Sequence, residues 1–298
     1  MKTILVPTDF SECAEHALKY ACVLARKTKA KIILLNVIVS DNFETAPFMM
    51  ALLKETKKKM NKLKELPIWN KVEMKDFIEV GDVSEKVNAA AKKHKADIIV
   101  MGTHGAKGLN DVLIGSNAER VVRDAEVPVL SIQDGKENVQ IKNIVFATDF
   151  SEETKLVFPF IKLFAEVFEA QCHILKIISD PNFKARNLAK KEGENFLKEN
   201  GFGKYPITIL PDFKSKASGI SRFAEVNKTD VIALGTHGRH GLAHFLKGSI
   251  AEDVVNYSLL PVLTVNFHKK LLKHAVKIQT LKKKIRFESD IILQIPSV

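Results

Sequence analysis

Two stretches of this chain are near copies, GTHGAKGLNDVLIGSN from Gly102 and GTHGRHGLAHFLKGSI from Gly235. Across the 21 residues from each glycine, 13 are identical, ending in AERVV and AEDVV. The likeness extends outward. KTILVPTDFSE at the start matches KNIVFATDFSE from Lys142, so Asp9 corresponds to Asp149. VPVLSI (127–132) likewise matches LPVLTV (260–265). Three landmarks in the same order imply that a whole domain has been duplicated, because a solenoid would repeat every ~20–50 residues. The 298 residues suffice for two domains of ordinary size.

Within each half the pattern alternates. TILVP, KIILLNVIV and DIIVMG are short runs rich in Ile and Val, as strands buried in a parallel sheet should be. Between them lie helical patterns. Residues 11–28 put Ala14, Leu18, Ala21, Val23, Leu24 and Ala25 on a broad apolar face after Ser11, a suitable N-cap. Residues 82–94 follow Asp82 or Ser84 as a start signal, and residues 181–200 supply the second helix of the second half. The order βαβαβαβαβ predicts an α/β fold, a doubly wound, Rossmann-like parallel sheet of five strands, made twice in tandem. The polar QDGKENVQ contains a turn signal and reads as a linker. The expected domains are 1–133 and 141–267, joined by 134–140 and followed by a basic extension, 268–298.

Composition narrows the function classes. No apolar run approaches the ~18 residues of a membrane span. MKTILVPTDFSE meets charge and Pro7 too early for a signal peptide, so a cytoplasmic location is expected. Cys13, Cys22 and Cys172 are scattered, with no CxxC pair or ligand-spaced His, which argues against a disulfide framework and a zinc site. The net charge of +11 invites a nucleic-acid reading. However, residues 268–298 hold eight Lys/Arg and two acids, so +6 of it lies in the tail and no specific nucleic acid is predicted.

Ligands of open parallel sheets bind beyond the carboxyl ends of the strands, where strand order reverses. Asp9 follows the first strand and the Gly102 stretch follows the fourth; if those strands are neighbours at the switch point, the two face one crevice. Gly102 and Gly105 let backbone approach a ligand closely. Gly115 and Ser116 precede a helix-like segment, whose free amides and dipole suit phosphate. Asp9 suits a ribose hydroxyl or a magnesium ion. The plainer alternative is a turn and a helix cap. The spacing is G-x2-G-x9-G-S, neither a Walker loop nor a GxGxxG fingerprint.

With that loop after a strand and an early V-P-T-D segment, each half resembles a universal stress protein domain, and the chain resembles the tandem form of that family. The resemblance implies fifth strands that pair across a twofold axis, here inside one chain as a pseudo-dimer. A further homodimer and an unidentified protein partner stay open. It also implies ATP, with or without Mg2+. The adenine would sit near the ends of the first two strands and the phosphates in the glycine loop. Carried onto the first half, this implicates Pro7, Thr8, Asp9 and Val37, then Met101, Gly102, Gly105, Gly115, Ser116 and Asn117. In the second half it implicates Ala147, Thr148, Asp149 and Ile177, then Leu234, Gly235, Gly238, Gly248, Ser249 and Ile250. The halves differ: Pro7 becomes Ala147, Asn36 becomes Lys176, and Asn117 becomes Ile250.

His104 and His237 lie in the loops, yet no nucleophile, base and orienter surround them, so each reads as a loop residue touching backbone or phosphate. Arg239, His240, His244 and Lys247 make the second loop more basic. The expected function is a nucleotide-dependent stress-response module with no catalytic residue assigned. A slow ATPase and a nucleotide-free interaction protein are the alternatives. The tail mixes a basic amphipathic stretch (269–286) with an apolar end, DIILQI.

Overall fold

The β-branched runs become strands, and the amphipathic stretches become the helices that cover them. The computed structural model describes residues 1–39, 46–103, 115–133, 135, 138–180, 182–212, 214–236 and 250–267. The first half runs β1 (Thr3–Pro7), α1 (Glu12–Thr28), β2 (Lys31–Ile38), α2 (Ala46–Lys64), β3 (Met74–Val80), α3 (Val83–Lys93), β4 (Ile98–Gly102), α4 (Ser116–Asp124) and β5 (Val129–Ile132). The second runs β6 (Asn143–Ala147), α5 (Thr154–Phe168), β7 (Gln171–Ile178), α6 (Phe183–Glu199), β8 (Ile207–Pro211), α7 (Lys216–Val226), β9 (Val231–Thr236), α8 (Ile250–Tyr257) and β10 (Val262–Asn266).

The strands form one sheet in the order β3-β2-β1-β4-β5-β10-β9-β6-β7-β8. Pairing is parallel within each half. It is antiparallel at the seam, where Val262 faces Ser131, Leu263 faces Leu130 and Thr264 faces Val129. The two five-stranded sheets expected from the sequence are therefore continuous, and β5 and β10 shield each other's open edges. In each half the order reverses between the first and fourth strands: β1 pairs with β2 on one side and β4 on the other, and β6 with β7 and β9.

Alternate residues of each strand face opposite layers. Ile4, Val6, Leu34 and Phe146 join the layer of α1, α2, α5 and α6, where Phe158 and Phe164 are wholly buried. Leu5, Ile33 and Val145 join the layer of α3, α4, α7 and α8 through Val87, Val121, Ile220 and Val254. Each wholly buried side chain of this size contributes about 1.5–3 kcal/mol. His173 of β7 is half-buried under Phe223, with Nε2 2.7 Å from Thr208 Oγ1.

The two halves start their first helices differently. Ser11 caps α1 by accepting from the Ala14 amide, and Asp82 caps α3 by accepting from Glu85. Of the apolar face expected for α1, Val23 is only half-buried, while Tyr20 and Cys22 are buried. Helix α5 begins two residues later than the matched α1, after a tight turn with i to i+3 bonds from Thr154 to Ser151 and from Lys155 to Glu152. Its cap position, Glu153, makes no side-chain bond, and Pro159 lies within the helix. Proline has no amide hydrogen, so an intrahelical bond is lost there.

Candidate functional site

Beyond β1 the chain makes a tight polar turn. The Thr8 amide donates to Leu35 O (2.8 Å), tying the turn to β2. Thr8 Oγ1 accepts from the Phe10 amide and Asp9 Oδ1 from the Ser11 amide, at 3.1 and 3.0 Å. These bonds hold Phe10 at φ 66°, an unusual value for a bulky residue, and leave Asp9 exposed at the start of α1. From the neighbouring strand, buried Asn36 donates through Nδ2 to Thr8 O (2.7 Å). Val37, next along β2, is half-buried.

β4 ends beside this turn, with Met101 buried and Gly102 against α1. A Cβ on Gly102 would lie 2.8 Å from the Cys13 carbonyl carbon and 2.9 Å from the Ala14 nitrogen. Only glycine lets the strand pass that backbone. The Cys13 thiol donates to Gln133 O, joining the start of α1 to the end of β5. The Gly115 amide donates to Thr103 O (2.8 Å), closing the base of the loop that leaves β4. Gly115 then caps α4, whose first two residues, Ser116 and Asn117, are exposed. Arg120 fixes α4 to the start of α3 through Asp82, at 2.7 Å. The amide of Glu85 and then Arg120 hold the Asp82 carboxyl below its ordinary pKa. A carboxylate thus follows β1, a close-passing glycine ends the neighbouring β4, and a helix N-terminus follows β4 across the bond from Gly115 to Thr103.

The second half repeats the turn and alters its surroundings. The Thr148 amide donates to Leu175 O, Thr148 Oγ1 accepts from Phe150, and Asp149 Oδ1 accepts from Ser151. Phe150 has φ 65°. Where the first half has Ala14, the second has buried Thr154, whose hydroxyl lies 3.0 Å from Thr148 Oγ1 and 3.4 Å from Asp149 Oδ1. Burial alone would raise the Asp149 pKa, but hydrogen bonds from Ser151 and Thr154 outweigh it and hold the carboxyl below its ordinary value. Lys176, in the place of Asn36, reaches further along the turn to Asp149 O (2.9 Å), pairs with Glu192 (2.7 Å) and lies over the Phe150 ring. Ala147 and Leu234 are buried at the strand ends, and Ile177 is half-buried. Gly235 meets the ring of Phe267, not a helix backbone; a Cβ there would fall 2.5 Å from Cζ. Ile250 opens α8 and is 40% exposed.

The model of the universal stress protein family matches residues 1–133 and 140–266. The chain belongs to that family. A universal stress protein of Methanocaldococcus jannaschii is 32% identical over 153 residues, covering 44% of this chain and 94% of that protein. One from Synechocystis is 28% identical over 294 residues, covering 89% of this chain and 99% of that protein. The crystal structure of a universal stress protein from Archaeoglobus fulgidus aligns with a TM-score of 0.73 at 21% identity, covering 89% of this chain and 98% of that one, and so shares the fold. Both universal stress protein units thus lie in one chain.

Gly105, Gly238, Gly248 and Ser249 lie outside the described residues of this universal stress protein, as do His104, His237, Arg239, His240, His244, Lys247 and the tail 268–298. Among the described residues, no cluster of His, Cys, Asp and Glu could hold a metal, and no helix is long and apolar enough to cross a membrane. Sequence reasoning missed the support that Asn36 gives to Thr8, the Thr154 hydroxyl and the Phe267 ring over Gly235. Comparing Ala14 with Thr154 at the 140-residue offset would have flagged the second of these.

Proposed function

We propose that this chain is an adenine-nucleotide-binding regulatory module of the stress response, with ATP as its ligand. The observation that carries the reading is the reversal of strand order between β1 and β4, with Asp9 after β1, close-passing Gly102 at the end of β4 and α4 starting after it. The residues fit such a group. Exposed Asp9 can accept from a ribose hydroxyl. The α4 amides, with the positive end of the helix dipole and the Ser116 hydroxyl, suit phosphate oxygens. Pro7, Thr8, Val37, Met101 and Asn117 complete the first site, with Gly105 and Gly115 in its loop. The matched residues of the second half, Ala147, Thr148, Asp149, Ile177, Leu234, Gly235, Gly238, Gly248, Ser249 and Ile250, form a second site around a carboxylate more tightly held by its own turn. Binding regulates by favouring one conformation or partner surface over another.

Calorimetric titration of ATP, with and without Mg2+, into nucleotide-stripped protein tests this. Saturable binding that weakens when Asp9 is changed to Ala supports the reading, and the stoichiometry reports whether one half or both bind. No heat, with an unchanged melting temperature at millimolar ATP, overturns it. Released phosphate, followed in the same samples, would separate a slow ATPase from a binding module.

A further inference from the structure

The halves share a fold but differ in polarity at one rim of the sheet. α7 ends at Val226, α8 ends at Tyr257, and Leu259 lies in the turn into β10. These side chains are 74%, 58% and 64% exposed. At the 133-residue offset that relates the glycine stretches and the fifth strands, the first half carries Lys93, Asp124 and Glu126. Three charged residues in one half are thus three exposed apolar residues in the other. The three positions gather at one rim, because α7 packs on α8 and the strands they lead into run parallel, with Val262 beside Ile232. Scattered exposed apolar residues need no explanation, but a clustered patch that the matched half lacks points to a contact surface.

The charges around the patch indicate its occupant. Arg222, Glu225 and Lys228, all exposed, alternate in sign at the end of α7. A strongly acidic or strongly basic partner would meet a like charge there. A second copy of the same surface would not, because a twofold axis can bring Glu225 of each copy to Arg222 or Lys228 of the other. The sheet edges that fifth strands offer are already joined within the chain, so association between chains needs a different surface. We infer that two copies of this chain pair about a twofold axis through Val226, Tyr257 and Leu259, framed by Arg222, Glu225 and Lys228. Tyr257 is the anchor, since a tyrosine combines apolar area with a polar tip. Three side chains fall short of the ~800 Å² per partner of a standard stable interface, so the pairing is reversible and depends on concentration.

The test is sedimentation equilibrium of the full chain from low micromolar to near-millimolar concentration, with thermal melts alongside. The average mass of the unaltered protein should rise from one chain toward two. V226K/Y257D/L259E installs the first half's own residues at the matched positions and should stay at one chain. Y257D alone, a milder change, should weaken pairing at least tenfold. The inference is overturned if the unaltered chain stays single throughout. It is equally overturned if Y257D, folded by its melt, pairs as tightly as the unaltered chain.

Discussion

Gly102 and Gly235 occupy matched positions at the ends of β4 and β9, and alanine should cost different amounts at the two. At Gly102 the new methyl would sit 2.8–2.9 Å from the Cys13 carbonyl carbon and the Ala14 nitrogen. Both belong to the backbone of the first turn of α1, whose helix buries Ala14, Ala17, Leu18, Tyr20, Ala21, Cys22, Leu24 and Ala25. Relief requires shifting that helix or the strand, and overpacking of this kind costs about 1–3 kcal/mol. At Gly235 the nearest atoms, at 2.5 and 2.6 Å, lie on the half-buried ring of Phe267, the last described residue. A side chain can swing aside more cheaply than a helix, so Gly235→Ala should cost under about 1 kcal/mol. Thermal and urea melts of both variants, compared at matched concentration, read the difference. Each kcal/mol shifts Tm by about 2–4 °C for a unit of 150–250 residues. If Gly102→Ala melts with the unaltered protein, or Gly235→Ala is the worse of the two, the backbone-contact argument fails.

Asn36→Leu should destabilise by about 1–3 kcal/mol, because the Thr8 carbonyl then loses its buried donor; urea melts check this, and a neutral effect would mean that another group reaches the carbonyl. Burial lowers the His173 pKa from 6.5, so the unfolded chain takes up its proton first and the contribution of this residue is full above about pH 6.5 and lost as pH falls through the folded value. His173→Gln should therefore flatten the fall in stability below that pH, and an unchanged slope would assign it elsewhere. Burial pushes the Cys22 and Cys172 thiols up to about 12, so a thiol reagent at neutral pH should reach them only on unfolding, with half-exposed Cys13 the first to react.

The sequence disclosed what depends on local pattern and on counting. The repeat could be read from three matched landmarks, and the parallel sheet from the order of strand-like and helix-like runs, but that order does not make β1 and β4 neighbours; their pairing does. Ser11 could be recognised as a cap, and Asp82 as one of two candidates beside Ser84, because a capping side chain acts within three residues of itself; the structure decides for Asp82. The rule for open sheets put the β1 turn beside the end of β4 only on the condition that those strands pair, as they do. The carboxylate's surroundings could not be read this way. That the Asp149 carboxylate meets the Thr154 hydroxyl, while Lys176 reaches only the Asp149 backbone carbonyl, depends on how α5 and β7 pack around the turn. The late start of α5 reflects side-chain bonding in the turn as well as helix propensity. The contact between Gly235 of β9 and Phe267, just past the end of β10, joins residues far apart in the chain, which no short-range pattern encodes. The single sheet was foreshadowed by the family resemblance, which implies paired fifth strands, but its register was not, since VLSI and VLTVN could have paired in several offsets.

The seam between β5 and β10 also changes what mutation can do to this molecule. In a symmetric pair of separate chains, every substitution appears on both sides of the axis, so a change that suits one site is forced on the other. Here the partners are covalently joined, and the law of mass action no longer governs their meeting. Each half can drift alone while the other keeps the shared sheet closed. Asn36 opposite Lys176, Ala14 opposite Thr154 and Lys93 opposite Val226 are the record of that freedom. Fusion has converted a requirement for symmetry into room for division of labour.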